Sequence, residues 1–195
     1  MARPRTFDED QVLAIALDLF RTYGYEATST RHLCDAVGLD RSSLYNAFTS
    51  KHELFRRALT RYVETTTGNQ LRILEDEERP VIERIRALLA VIVESESSPG
   101  GHGRGCLTVN TTVELAGRDP EIALILERDL VRRLDSLRSA IAAGLAAGDL
   151  TSTRDPEDLA RFVNAVIAGI RVTARGGGDR VVLESIAATA LDALA

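Results

Sequence analysis

The chain has 195 residues, 45% of them hydrophobic and 27% charged, with a formal net charge of −5. This is enough chain for a sizeable core and an ordinary globular composition, which excludes a disordered protein. The negative balance also excludes one that coats nucleic acid indiscriminately. Residues 1–60 carry 8 Lys/Arg against 8 Asp/Glu, while residues 61–195 carry 16 against 21, so a DNA surface in the first part must be local.

No apolar run reaches the roughly 18 residues that span a bilayer. The start, "MARPRTFDEDQ", is charged and lacks the apolar core of a secretory signal. Two cysteines, Cys34 and Cys106, make no disulfide framework and are expected as reduced thiols in a cytoplasmic protein.

Three-and-four spacing of apolar residues recurs throughout, and sustained alternation is absent, which predicts an all-α fold. The first helix is expected over 8–23, with Val12, Ala16, Leu19, Phe20 and Tyr23 on one stripe and Gly24 as its stop. The hydroxyls of "ATST" offer caps for a short second helix that carries Leu33, Ala36 and Val37 and ends at Gly38. Asp40 caps a third, over "RSSLYNAF". Ser50-Lys51-His52-Glu53 fits a capping box for a fourth. Further helices are predicted over 80–94, 106–117, 120–146, 156–175 and 180–193, the prolines at 80, 120 and 156 standing at first helical positions. In the last two, Leu159, Phe162, Val163, Val166, Ile167 and Ile170 form one apolar face, and Val181, Val182, Ile186, Ala190 and Leu191 another. With small residues such as Ala165, Gly169 and Ala188 between them, this pair is the candidate four-helix dimer interface.

The short third helix sets the functional question. Leu44, Ala47 and Phe48 can face a core, and Arg41, Ser42, Ser43, Tyr45 and Asn46 are left outside. Two short helices joined by a glycine-containing turn form a helix-turn-helix, and about two helical turns are enough to lay polar side chains against base edges in a major groove.

"LDLFRTYGYEATSTRHLCDAVGLDRSSLYNAFTSKHELFRRAL", residues 17–59, resembles the amino-terminal DNA-binding domain of TetR-family bacterial transcriptional regulators. The match rests on Phe20, Gly24 and Tyr25, on Thr28, on Leu33-Cys34-Ala36-Val37-Gly38, on "SLYNAF", and on Lys51, Glu53 and Leu54. Cys34 stands where the family usually has Ala. The resemblance implies about nine helices, a DNA-binding domain over 1–60, and an effector-binding and dimerisation domain over 61–195. It also implies a homodimer on a palindromic operator, usually as a repressor. Carried over by position, Arg41, Ser42, Ser43 and Asn46 become candidate base readers and Tyr45 a phosphate contact. Lys51 is expected at phosphate through its charge and nearby amides, and Thr28 and Arg31 at the backbone of the other strand. Arg3 and Arg5 would form an amino-terminal arm.

"GGHGRGCLTVN", residues 100–110, is the second unusual stretch. Cys106 opens a helix, where amides and the dipole favour a thiolate, with His102 and Arg104 as nearby cations. The Gly-Cys-Leu-x-x-Asn pattern resembles a TetR subgroup that includes sensors of electrophiles and hypochlorite, which makes Cys106 the candidate sensor. Asn110, Thr111, Glu114, Asn164 and Arg171 are polar residues on mostly apolar helices and form the candidate effector pocket, whose ligand the sequence leaves open.

Other classes fit less well. The three histidines, at 32, 52 and 102, have no metal-ligand spacing, and no nucleophile elbow or phosphate loop is present, so neither an enzyme nor a cofactor is expected. A helical adaptor for proteins alone would not need the exposed Ser-Ser-x-Tyr-Asn face.

Overall fold

The computed structural model describes residues 8–98 and 105–194, and every regular element among them is a helix. Arg3, Arg5, His102 and Arg104 lie outside the described residues. The order is α1 Glu9–Tyr23, α2 Thr30–Val37, α3 Arg41–Phe48, α4 Lys51–Tyr62, α5 Gly68–Leu74, α6 Val81–Ser97, α7 Leu107–Leu115, α8 Pro120–Ala147, α9 Pro156–Arg175 and α10 Arg180–Asp192. A π-helical turn, Val63–Thr67, joins α4 to α5 without a break. Counted as one rod, α4 and α5 bring the described helices to nine.

Short polar side chains start most of these helices. Asp8, Ser29, Asp40, Ser50, Asp119, Asp155 and Asp179 each accept a first-turn amide. The capping box at Ser50 is half formed. Ser50 Oγ accepts the Glu53 amide at 3.0 Å, but the Glu53 carboxylate turns to Arg56 at 2.7 and 2.8 Å. A bidentate charge-assisted pair outcompetes a single amide. At α6, Pro80 precedes the helix instead of opening it, and the helix runs on to Ser97. Asp149, from beyond the end of α8, accepts the Val81 amide at 3.3 Å and so supplies a cap that no local residue provides.

Two apolar clusters result. The first joins Val12, Ala16 and Phe20 of α1, Leu33 of α2, Leu44 and Phe48 of α3, and Leu54, Phe55, Ala58 and Leu59 of α4. Phe20 and Phe55 meet edge-on at 4.9 Å. The eight-residue α3 would not be stable alone, and its buried Leu44 and Phe48, four residues apart on one face, hold it down. Cys106, Leu107, Leu115, Ile122 and Leu126 belong to this same cluster, so α7 and the start of α8 are packed into the amino-terminal core. The second cluster is built by α6, α8, α9 and α10 around Ile85, Leu89, Ile141, Val163, Ile170 and Leu183.

The outer sides of α9 and α10 keep apolar surface. Leu159, Val163, Ile167 and Ile170 are buried, while Phe162, Ala165, Gly169 and Val172 follow one another along the exposed side. On α10, Leu183, Ala187 and Ala190 point in, whereas Val182, Ala188 and Val181 (73% accessible) point out. The face expected to carry Phe162 with Val163 is therefore divided between core and surface.

Gly144 of α8 sets the approach of α6, since a Cβ there would lie 2.8 Å from Val81 Cβ. Gly144→Ala is expected to lower stability by about 1–3 kcal/mol through overpacking. In thermal melts at fixed protein concentration, adding Val81→Ala should recover part of the lost Tm.

Candidate nucleic-acid interface and effector-side junction

The outer side of α3 has two kinds of residue. Arg41, Ser42 and Asn46 are exposed, and Ser43 and Tyr45 are half-buried. Asp40 accepts the Ser43 amide at 2.7 Å and fixes the first turn. The Tyr45 hydroxyl lies 2.6 Å from Thr30 Oγ1 at the start of α2, and the Arg41 guanidinium stands 5.5 Å from the Tyr45 ring centre. Tyr45 is thus pinned between the two helices, which suits a positioning contact. Ser42 and Asn46 are left exposed beside it. Thr30 was not singled out from sequence, although the hydroxyl run "ATST" contains it.

Two expected contacts are placed elsewhere. Thr28 is fully buried, and its hydroxyl donates to the Gly24 carbonyl at 2.6 Å, so its side chain braces the turn between α1 and α2. Lys51 folds inward too. Its Nζ donates to the carbonyls of Tyr25 at 3.0 Å and Thr28 at 3.1 Å and sits 4.1 Å from the Tyr25 ring centre. The first amides of α4 have no intrahelical acceptor.

Most other cations here are committed. Arg57 pairs with Glu9 at 2.8 Å, Arg61 with Asp10 at 2.5 Å, and Arg56 with Glu53 and Glu121. Arg31 is 92% exposed and meets Asp35 only at 3.8 Å. Arg31 and Arg41 are thus the cations of α2 and α3 that face solvent.

A dense polar junction ties this unit to the rest. Glu114 of α7 accepts the backbone N–H of Tyr25 at 2.9 Å and of Glu26 at 2.8 Å. Gly24, at φ +84°, makes room, since a Cβ there would lie 3.0 Å from Glu114 Oε2. Arg21 Nε and Nη2 each donate to the Gly105 carbonyl at 3.2 Å. The last carbonyls of α1 receive Asn110 at 3.4 Å and Arg175 at 3.3 and 3.1 Å, cations and donors at the negative end of the helix. His52 Nε2 donates to Asp119 Oδ2 at 2.7 Å, linking α4 to the cap of α8.

Cys106 sits inside this junction as the N-cap of α7, 2% accessible. Its sulfur lies 3.0 Å from Thr108 Oγ1 and accepts from the Tyr62 hydroxyl at 3.5 Å. Burial alone would push the thiol up. The Arg171 charge, Thr108, the Val109 amide and Tyr62 outweigh it, and the thiol is held below its ordinary value. Tyr62 is pushed up by its own burial and by the thiolate and stays a proton donor. The cation that faces the sulfur is therefore Arg171, distant in sequence.

The candidate pocket residues divide as follows. Cys106, Asn110, Glu114 and Arg171 border one cavity of about 440 Å³ between the end of α1, α7 and the end of α9. Asn164 accepts from Arg133 Nη1 at 2.6 Å and borders a different, apolar cavity of about 420 Å³ between α7, α8 and α9. Thr111 is buried within the packing of α7. Glu114 is a structural clamp, with both oxygens occupied. Among the described residues no cluster of His, Cys, Asp and Glu could hold a metal ion, and no helix is long and apolar enough to cross a membrane.

Two family models match the chain, "Bacterial regulatory proteins, tetR family" over residues 12–58 and "Tetracyclin repressor-like, C-terminal domain" over residues 81–190. The chain belongs to the TetR family. Among its relatives, the HTH-type transcriptional repressor ComR of Escherichia coli K12 is 32% identical over 192 residues, covering 97% of this chain and 90% of ComR. The HTH-type transcriptional repressor BdcR of the same organism is 31% identical over 191 residues, 96% of this chain and 88% of BdcR. A solved TetR-family regulator, a CifR variant with three cysteines replaced, complexed with a 26-base-pair double-strand operator, is 31% identical and superposes with a TM-score of 0.87 over 100% of both chains. As a TetR-family regulator the chain is a helix-turn-helix transcription factor and not an enzyme.

The lowered Cys106 has a kinetic consequence, because thiolate is the form that is alkylated. With iodoacetamide, Cys106 is expected to reach half its maximal rate at a pH below that of an ordinary thiol. Cys34, which burial pushes up, should do so above it. Peptide mapping after timed labelling across pH 6–10 separates the two sites.

Proposed function

We propose that the chain is a thiol-gated repressor of the cytoplasm. It binds a palindromic operator as a homodimer through α9 and α10, and releases it when Cys106 is oxidised or alkylated. The observation that carries this reading is the place of Cys106. The residue before it, Gly105, holds Arg21 of α1, and the residue four beyond it, Asn110, holds the end of the same helix. A group added to the sulfur breaks its contacts with Tyr62 and Thr108 and so displaces the start of α7. That displacement loads the contacts that fix α1 and the α1–α2 turn. Glycine at 105 supports such tightness, since its φ is +68° and a Cβ would lie 2.9 Å from Arg175 Nη1.

Dimerisation is supported by the exposed apolar residues of α9 and α10, and two-fold proteins read two-fold sites. Under this reading the two units are a DNA-binding part over 1–60 and an effector and dimerisation part over 61–195, with α7 as the piece that packs against both. The repressor names of ComR and BdcR, and the operator in the CifR complex, support repression as the mode. The Gly-Cys-Leu-x-x-Asn motif at residues 105–110 supports membership of the thiol-sensing subgroup. Arg31, Arg41, Ser42, Ser43, Tyr45 and Asn46 are the proposed DNA contacts, joined by the amides at the start of α4.

Selection of duplexes from a random pool by the full-length protein should enrich a palindrome, and no enrichment at low salt would sink the DNA-binding reading. On the selected operator, Tyr45→Phe should weaken binding to all sequences alike, whereas Asn46→Ala should change which bases are preferred. Cys106→Ser should bind like the parent but keep its affinity after mild hypochlorite or N-ethylmaleimide treatment that releases the parent. An identical response of the two proteins in fluorescence anisotropy rules out Cys106 as the gate.

A further inference from the structure

Packing does not account for Arg171. Its side chain is 7% accessible, deep in the junction, and its Nε is sealed from solvent with no hydrogen bond. Its charge acts on the Cys106 sulfur, and the carboxylate beside it, Glu96, stands at 4.0 Å without a hydrogen bond to the Nε. A buried guanidinium that uses so little of its five-donor fork is destabilising unless something else pairs with it. Burial pushes the Glu96 carboxyl above its ordinary value, against the pull of Arg171 and Arg21.

The same guanidinium borders two cavities. One is the space of about 440 Å³ beside Cys106, and the other is a space of about 160 Å³ between α4, α5 and α6, where Glu96 also stands. The larger cavity has an apolar side made by Val109, Val113 and Val172, and a second guanidinium, Arg175, at its rim. Its one acidic lining residue, Glu114, has both oxygens bound to backbone amides. The cavity thus joins a buried guanidinium with an unpartnered Nε to aliphatic walls.

We propose that this cavity is a binding site for a small organic monocarboxylate, its carboxylate on Arg171 and its short apolar body against Val109, Val113 and Val172. A guanidinium fork matches a carboxylate in shape and charge. The volume lies in the range of small-ligand sites. A dianion fits less well, because Glu114 lines the same cavity. The site adjoins the thiol, so Arg171 favours anions among the reagents that reach Cys106. This extends the thiol-gated reading above by naming the chemical class that the gate admits.

The test uses two haloacetyl probes that differ in charge, iodoacetate and iodoacetamide, on the full-length protein. In both the thiolate displaces iodide, an S–C bond replaces the C–I bond, and iodide leaves. Cys34, remote from Arg171, is the internal reference. The ratio of the iodoacetate to the iodoacetamide rate should be at least about tenfold higher at Cys106 than at Cys34, the order expected of one charge-assisted pair. Arg171→Gln should bring the Cys106 ratio down to that of Cys34, and Glu96→Gln, which removes a competing carboxyl, should raise it. Millimolar benzoate, and not benzamide, should slow labelling of Cys106 by iodoacetamide, a readout that holds even if Arg171→Gln fails to fold. Equal ratios at the two cysteines, or equal protection by benzoate and benzamide, overturn the site. Operator release by the labelled protein is read separately. A charge-selective Cys106 whose carboxymethylation leaves DNA bound would keep the site and remove the gate.

Discussion

One carboxylate holds the two ends of this molecule in register. Glu114 gives its oxygens to two consecutive backbone amides, Tyr25 and Glu26, in the turn that precedes the helix-turn-helix. Lys51 takes the carbonyls of Tyr25 and Thr28 from the other side, and Thr28 closes onto Gly24. The turn has its donors claimed by α7 and its acceptors by α4. Charge-assisted hydrogen bonds of this kind are among the stronger local ties a protein makes, and they are directional. The turn that leads into α2 is therefore held by α7, and Cys106 is the N-cap of α7.

Under the thiol-gated reading proposed above, this arrangement is the reason that the thiol is buried rather than displayed. A surface cysteine would react readily and move nothing. At the N-cap of α7, between Tyr62 and Thr108, the sulfur is tuned by a charge from α9 and surrounded by the residues that hold α1. The polar line that runs from Thr67 Oγ1 through Asp129 and Arg133 to Asn164, with steps of 2.6, 3.0 and 2.6 Å, ties α8 to the α4–α5 rod and α9 in the same region. Several helices thus share one satisfied network, and a disturbance at one position is not absorbed locally.

The sequence carried some of this clearly and some not at all. Caps, periodicity and the stops at Gly24 and Gly38 gave the helices, because those signals are local and each acts within one turn. The α3 face was legible for the same reason, since Leu44 and Phe48 could only point one way. The roles of Thr28 and Lys51 were not legible. Both are polar residues beside a DNA-facing helix, and only the folded turn shows that a hydroxyl and an ammonium are needed there to satisfy backbone groups. Glu114 and Arg171 were picked as polar residues on apolar helices, but their partners lie 88 and 75 residues away in the chain. No spacing rule reaches that far. The same holds for Asp149, which caps a helix that begins 68 residues before it.

The π-turn at Val63–Thr67 has a consequence of its own. One residue more per turn than an α-helix needs advances everything downstream by about 100° around the axis. Upstream, Phe55, Leu59 and Tyr62 face the amino-terminal core, and downstream Gln70, Leu71 and Leu74 face α6 and α8. The rod is thus out of phase with itself, and the bulge is the gear that lets one helix serve two cores set at different angles.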